Sequence, residues 1–174
     1  MRISSQAIKR AVRIDFENSI ELALQGIRSK RIPVLIKEKI LQRKPDCSIG
    51  ELSAMVALIM EFTYYGHKDS KDKREKYLKS VQQNPEHAFE ELDVLWFVSH
   101  AEIDKYVDAV IEDMQTDDPK KSFKLRKFDK SSTERDHSIA VALFGRMVAS
   151  NTNLQVEAAC QVAPAIGVGA MENE

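Results

Sequence analysis

The residues best suited to chemistry in this sequence are cations and neutral hydrogen-bond donors gathered at its start: Arg2, Ser4, Ser5, Gln6, Lys9, Arg10 and Arg13. Lys9 and Arg13 are four positions apart, so on a helix they share one face, and Arg2, Gln6 and Arg10 fall near it. A helix starting at Ser4 or Ser5 has unpaired backbone N–H groups at its first turn, where the helix dipole favours an anion. The serine hydroxyls and the Gln6 amide add neutral donors. Such a set can hold one phosphate at the helix start while the cations track its neighbours, without regard to base sequence. The plain alternative is helix capping by the serines and a solvated cationic face. A second basic stretch runs over residues 120–130, with Lys120, Lys121, Lys124, Arg126, Lys127 and Lys130 interleaved with Phe123 and Phe128. It reads either as a nucleic-acid contact with stacking rings or as a solvated loop anchored by two phenylalanines.

Catalytic patterns are sparse. Asp136-His137 is the one acid–imidazole neighbour of interest. No serine or cysteine nucleophile pattern flanks it, and in a strand adjacent side chains point to opposite faces. His67, His87, His100 and His137 are too scattered for a metal site, and no glycine-rich phosphate loop is present. The expectation is a non-enzymatic protein without metal or other cofactor. Cys47 and Cys160 sit in no CxxC context, as inert reduced thiols of a cytoplasmic protein would. No apolar run is long enough to span a membrane.

The net charge of −1 conceals an asymmetry. Residues 1–45 hold eleven lysines and arginines against four acids, a net of +7, leaving −8 for the rest. A basic end on an acidic body points to a polyanion-binding surface confined to one part of the molecule.

The elements that must position these residues are mostly helices. Ile8, Ala11, Val12 and Phe16 follow the serines at helical spacing, with Gly26 as the stop. Pro33 suits a first helical turn, with Val34, Ile36 and Ile40 behind it. Ser48-Ile49-Gly50-Glu51 is a capping box before Leu52, Met55, Val56, Ile59 and Phe62. Residues 67–79 read as a charged linker turning helical near Tyr77. Asn84-Pro85 opens a helix carrying Phe89, Leu92, Leu95 and Trp96, and Ser99-His100-Ala101-Glu102 is a second capping box. The run Ser138 to Phe144 is short, apolar and partly β-branched, which suits a buried strand. A last helix is expected after Asn151 or Asn153, carrying Leu154 to Val162. The fold class is mostly α with a minor β part. A lone strand cannot make a sheet, so the pattern implies a piece of a larger α/β domain, or pairing of exposed sheet edges between copies.

Two segments carry a family resemblance. Arg2-Ile3-Ser4-Ser5-Gln6-Ala7-Ile8-Lys9-Arg10-Ala11 resembles the signature of CasC-type subunits, approximately R-(I/V)-S-S-Q-x-x-K-R-A. Ile139-Ala140-Val141-Ala142-Leu143-Phe144-Gly145-Arg146-Met147 resembles a second pattern, D-(I/V)-A-L-x-G-R-M, of the same family. These are the guide-RNA-binding backbone subunits of type I-E CRISPR Cascade, in the RAMP superfamily. The resemblance implies a partial RNA-recognition-motif-like palm carrying a large helical insertion, the fingers. It divides the chain into a first palm helix over 1–25, fingers over 26–130, and a palm strand and helix over 131–174. It also implies that the chain is a fragment, lacking the first palm strand before Arg2 and the thumb and remaining palm strands after Glu174. Implied partners are the guide CRISPR RNA, a target DNA strand through pairing with that guide, other Cascade subunits and further copies head-to-tail, with no membrane. The resemblance brings Arg146 and Met147 near the guide, Arg146 pairing with phosphate and Met147 packing on a base or sugar. Without it they read as a surface arginine and a buried methionine. Two functions of other classes remain open from the residues: a protein–protein adaptor built on the acidic helices of residues 48–115, and a metal-independent nuclease using His137.

Overall fold

The computed structural model of the chain describes residues 2–66, 70–126, 137–147 and 154–168. Four short strands and seven helices occur among them, so the molecule is mostly helical with a minor β part.

The centre is a helix bundle. Helix α2 (Ile32–Arg43) starts with Pro33 in its first turn and buries Ile32, Pro33, Ile36 and Ile40. Helix α3 (Ile49–Phe62) begins at the expected capping box, where Ser48 and Glu51 bond each other's backbone N–H groups. It buries Leu52, Met55, Val56, Ile59 and Met60. Helix α5 (His100–Asp113) adds Ile103, Tyr106, Val107 and Val110 behind a second capping box of Ser99 and Glu102. Each such side chain withdrawn from water contributes about 1.5–3 kcal/mol. Helix α4 (Lys71–Gln83) buries no residue fully but packs Tyr77 and Val81 against this core. The short helix α6 (Pro119–Leu125), capped by Asp118, buries Phe123 in it.

The remaining elements form a second, smaller layer. Strand β1 (Arg2–Ile3) leads into helix α1 (Ser5–Ser19), which has no buried residue along its 15 positions. Strand β2 (Gly26–Ser29) pairs antiparallel with β3 (Trp96–Ser99), Arg28 opposite Phe97 and Ile27 opposite Val98. Alternation across this pair separates two cores. Ile27, Trp96 and Val98 face the bundle, while Phe97 joins Ala140, Val141, Phe16, Phe144 and Val156 on the other side. Helix α7 (Ile139–Phe144) completes that side, and β4 (Ala165–Ile166) pairs antiparallel with β1.

Four expectations are corrected. The run at 138–144 is helix α7, not a strand: the Ser138 side chain accepts from the Val141 N–H, and Gly145 at φ +76° ends the helix after six residues. With that strand gone, so is the motive for pairing sheet edges between copies. Gly26 does not stop α1, which ends at Ser19. It opens β2 instead, where a Cβ would run into the Phe97 ring and the Ser138 hydroxyl. The helix expected through Leu95 and Trp96 is a short 3-10 turn, Pro85–Phe89, followed by extended chain and β3. No helix covers residues 155–162, where Val156 instead bridges to Arg146. His67, Lys127, Phe128, Lys130, Asp136, Asn151 and Asn153 lie outside the described residues.

Candidate nucleic-acid interface

Helix α1, the β2–β3 pair and the turn after α7 enclose an open cleft of about 800 Å³. Six of the nine residues singled out in sequence line it: Gln6, Lys9, Arg10, Arg13, Arg146 and Met147. Residues from the two family-like motifs, more than 130 positions apart, therefore meet across one groove. Arg28, Leu95 and Phe97 line it as well.

Two cations of this cleft, Lys9 and Arg13, lie over rings rather than beside acids. Arg13 lies with its guanidinium 5.5 Å from the centre of the Phe97 ring and 5.3 Å from that of Phe144. The Lys9 ammonium lies 5.5 Å from the Phe144 centroid on the same ring system. A cation over an aromatic face gains roughly 0.5–1 kcal/mol and keeps its full charge, whereas a carboxylate partner would cancel it. The buried Nε of Arg13 has no hydrogen-bond partner among the described residues. Its pKa is lowered, first by burial and then by the positive charge of Arg28.

Several cations elsewhere are neutralised. Lys39 and Arg43 bond Asp104 at 2.6 and 2.7 Å, and Arg43 also reaches Asp108 at 2.6 Å. In the second basic stretch Lys120 pairs with Glu61 at 2.8 Å. Arg126 bonds Asp113 at 2.7 Å and Glu112 at 2.9 Å. The Arg126 hydrogen bonds to Asp113, set against burial, hold its pKa above the usual value. Phe123 is buried in the bundle rather than offered for stacking. By contrast Arg2, Lys9, Arg10, Arg13 and Arg28 enter no ion pair among the described residues. Lys30, Arg31, Lys37, Lys121 and Lys124 likewise enter no ion pair among the described residues, but they do not line this cleft, whereas Lys9, Arg10, Arg13 and Arg28 share it.

The other singled-out residues fall in different places. Ser4 caps α1, its Oγ accepting from the Ala7 N–H at 3.2 Å, and Ser5 donates to the Gln6 side chain at 3.3 Å. Neither serine lines the cleft. Arg2 is exposed on β1 beside Ile166. Met147 is 81% exposed at the cleft's rim, so it is not the buried methionine of the plain alternative.

Arg146 corrects both sequence readings, surface arginine and phosphate ligand alike. Its side chain is 1% exposed and its Nη1 donates to both carboxylate oxygens of Glu102, at 2.8 and 3.1 Å. Nη1 also donates to the Phe97 carbonyl at 3.1 Å, and Nε donates to the Leu154 carbonyl at 2.8 Å. Glu102 in turn accepts from the Ser99 backbone N–H at 2.8 Å and lies 3.5 Å from Nδ1 of His137. Burial pushes the Glu102 carboxyl up, but the His137 imidazole, the Arg146 guanidinium and the Ser99 N–H together hold it below its ordinary range. Arg146 therefore ties the chain before the cleft's rim to β3 and α5. His137, the residue on which the metal-independent nuclease reading rested, sits against this buried pair.

Two residues of the cleft, Arg28 and Phe97, and the Phe144 ring that flanks Arg13 carried no usable signal in the sequence. Arg28 follows an apparent helix stop, Phe97 falls in an apparent helix, and Phe144 belongs to an apparent strand. Only the pairing of β2 with β3 brings Arg28 and Phe97 onto one face. Glu102 was legible as a capping residue, but not as the partner of an arginine 44 positions away.

Among the described residues no group of three or more His, Cys, Asp or Glu is placed to hold a metal ion, and no helix is long and apolar enough to cross a membrane. Comparison with protein families matches the whole chain, residues 1–174, to the family described as CT1975-like protein. No curated protein and no solved structure matches it.

Proposed function

This chain belongs to the CT1975-like family of CRISPR-associated proteins, and from that premise we propose that it is a non-catalytic, guide-RNA-holding backbone subunit of a type I-E Cascade complex. The observation that carries the reading is the cleft along α1. Lys9, Arg10, Arg13 and Arg28 line one groove with no carboxylate partner among the described residues, two of them steadied by aromatic rings. Such an array binds a sugar–phosphate chain through charge and shape, indifferent to base identity, as a protein holding any guide must. Gln6 adds a neutral donor and Met147 an apolar edge that can pack on a base or sugar.

On this reading α1, β2, β3 and α7 belong to the palm, and the bundle of α2 to α6 is the helical insertion. The bound guide would pair with a target DNA strand, while other Cascade subunits and further copies of this chain would continue the groove head-to-tail in the cytoplasm.

The test is binding of unstructured single-stranded RNAs of unrelated sequence, followed by fluorescence anisotropy over a range of salt. With three or four phosphates contacted, log K should fall against log salt with a slope of about −2 to −3. Lys9→Glu/Arg10→Glu/Arg13→Glu should abolish binding while leaving the circular dichroism unchanged. Unchanged affinity in that triple variant would sink the reading. Capture of a protein partner in the absence of RNA affinity would instead favour the adaptor role of the acidic helices.

A further inference from the structure

We propose that Arg13 and Arg28 together form a discrete seat for one phosphate group, with Phe97 and Phe144 as positioning residues that hold Arg13 in place. The inference rests on the RNA reading for its biological ligand, but its geometry stands apart from it.

Arg13 and Arg28 come from different elements, α1 and β2, and both line the large cleft and a neighbouring cavity of about 170 Å³. The positive charge of Arg28 adds to burial in lowering the Arg13 pKa, so the two groups repel, and folding ordinarily relieves this with an acid between them. Here the structure supplies none. Glu17 lines both cavities, yet makes no ion pair with either arginine among the described residues. Nor is Arg13 free to swing away, since rings flank it at 5.3 and 5.5 Å. The Phe97 ring is fixed in turn by close packing on Gly26, where no Cβ would fit. The result is two positive forks lining one cleft, one of them held between rings. A tetrahedral phosphate answers both features: it brings negative charge and accepts from two planar forks at once.

The ligand chemistry is a phosphate oxygen set, whether a backbone phosphodiester or a small phosphate-bearing molecule. Inorganic phosphate titrated into the full chain, followed by the side-chain Nε–Hε resonances of the arginines, reads the seat directly. Arg13 and Arg28 should shift together, and Arg28→Ala should remove the Arg13 response. In parallel, Arg28→Ala should weaken single-stranded RNA binding about 5–10-fold and make the salt slope shallower by about 0.7, the value of one lost contact. Arg28→Lys should keep the slope but recover only part of the affinity, because an ammonium does not form the planar fork. Arginine resonances indifferent to phosphate, with RNA binding and slope intact in Arg28→Ala, would overturn the seat and leave the RNA reading standing. A phosphate response in a protein that binds no RNA would keep the seat, assign it to a small phosphate-bearing ligand, and overturn the RNA reading instead. A phosphate response with an unaltered RNA slope in Arg28→Ala would likewise keep the seat and assign it to the small ligand.

Discussion

Replacing Arg146 by methionine removes one half of a buried ion pair while roughly preserving its volume. The side chains of Arg146 and Glu102 are 1% and 0% exposed, so water cannot take over the lost partner. Breaking such a pair costs about 3–5 kcal/mol, chiefly because the remaining charge is left buried and unpaired. The carbonyls of Leu154 and Phe97 lose their donor in the same step. The total expected is about 4 kcal/mol, a large part of the ~5–15 kcal/mol that holds a domain together. The chain's single tryptophan, Trp96, is 1% exposed in the strand beside this site and reports unfolding by fluorescence. With a urea dependence near ~2 kcal/mol per molar, the midpoint should fall by about 2 M. The pH dependence has a definite sign. In the wild type the Glu102 carboxyl titrates below its usual range, so its stabilisation is present above the unfolded value and lost as pH falls through the folded one. Without Arg146, burial is opposed only by the His137 imidazole and the Ser99 N–H, so the folded value rises. The stabilisation that ionised Glu102 gives above the unfolded value shrinks accordingly. The deficit of Arg146→Met should therefore be larger at pH 8 than at pH 3. In a Glu102→Gln background the same substitution should cost less, since no carboxylate remains to be stranded. A loss under about 1 kcal/mol at pH 8, against the ~3–5 expected of a broken buried pair, or equal losses at the two pH values, would refute this account.

Three further substitutions probe the scaffold. Gly145 sits at φ +76° and ψ 168°, a region open almost only to glycine, and a Cβ there would lie 2.9 Å from the Val156 carbonyl oxygen. Gly145→Ala should cost about 1–3 kcal/mol by thermal unfolding, and Gly26→Ala, whose Cβ meets the Phe97 ring, a similar amount. Asp113 is pushed up by burial but held below its ordinary range by Arg126 and Ser122. Its stabilisation is thus present above the unfolded aspartate value and lost as pH falls through the folded one. Asp113→Asn should lower the melting temperature at pH 7, by about 1–2 kcal/mol in stability, and approach the wild type near pH 2.

Much of the bundle was legible because its signals are local. Ser48 with Glu51 and Ser99 with Glu102 formed the two expected capping boxes. Pro33 opened α2 as its fixed φ requires. Apolar spacing marked the buried faces of α3 and α5, as in Met55, Val56 and Ile59. The run at 138–144 misled because six apolar residues fit a buried strand or a short helix equally well. Its flanks, Ser138 as cap and Gly145 at positive φ, decided the matter.

The sequence by itself determined that cations crowd one end of the chain and that α1 would carry a lysine–arginine face, because charge and helical spacing are properties of neighbours along the chain. Tertiary structure alone decided which of those cations remain available. Lys39 and Arg43 are neutralised because α5 packs its acids beside them, and Arg146 is drawn inside by Glu102. Arg13 and Arg28 stay unpaired: rings flank Arg13, the strand register sets Arg28 opposite Phe97, and Glu17, which lines the same cavities, pairs with neither among the described residues. Pairings between residues far apart in sequence depend on how the elements pack, and that is settled by the whole fold rather than by any local pattern.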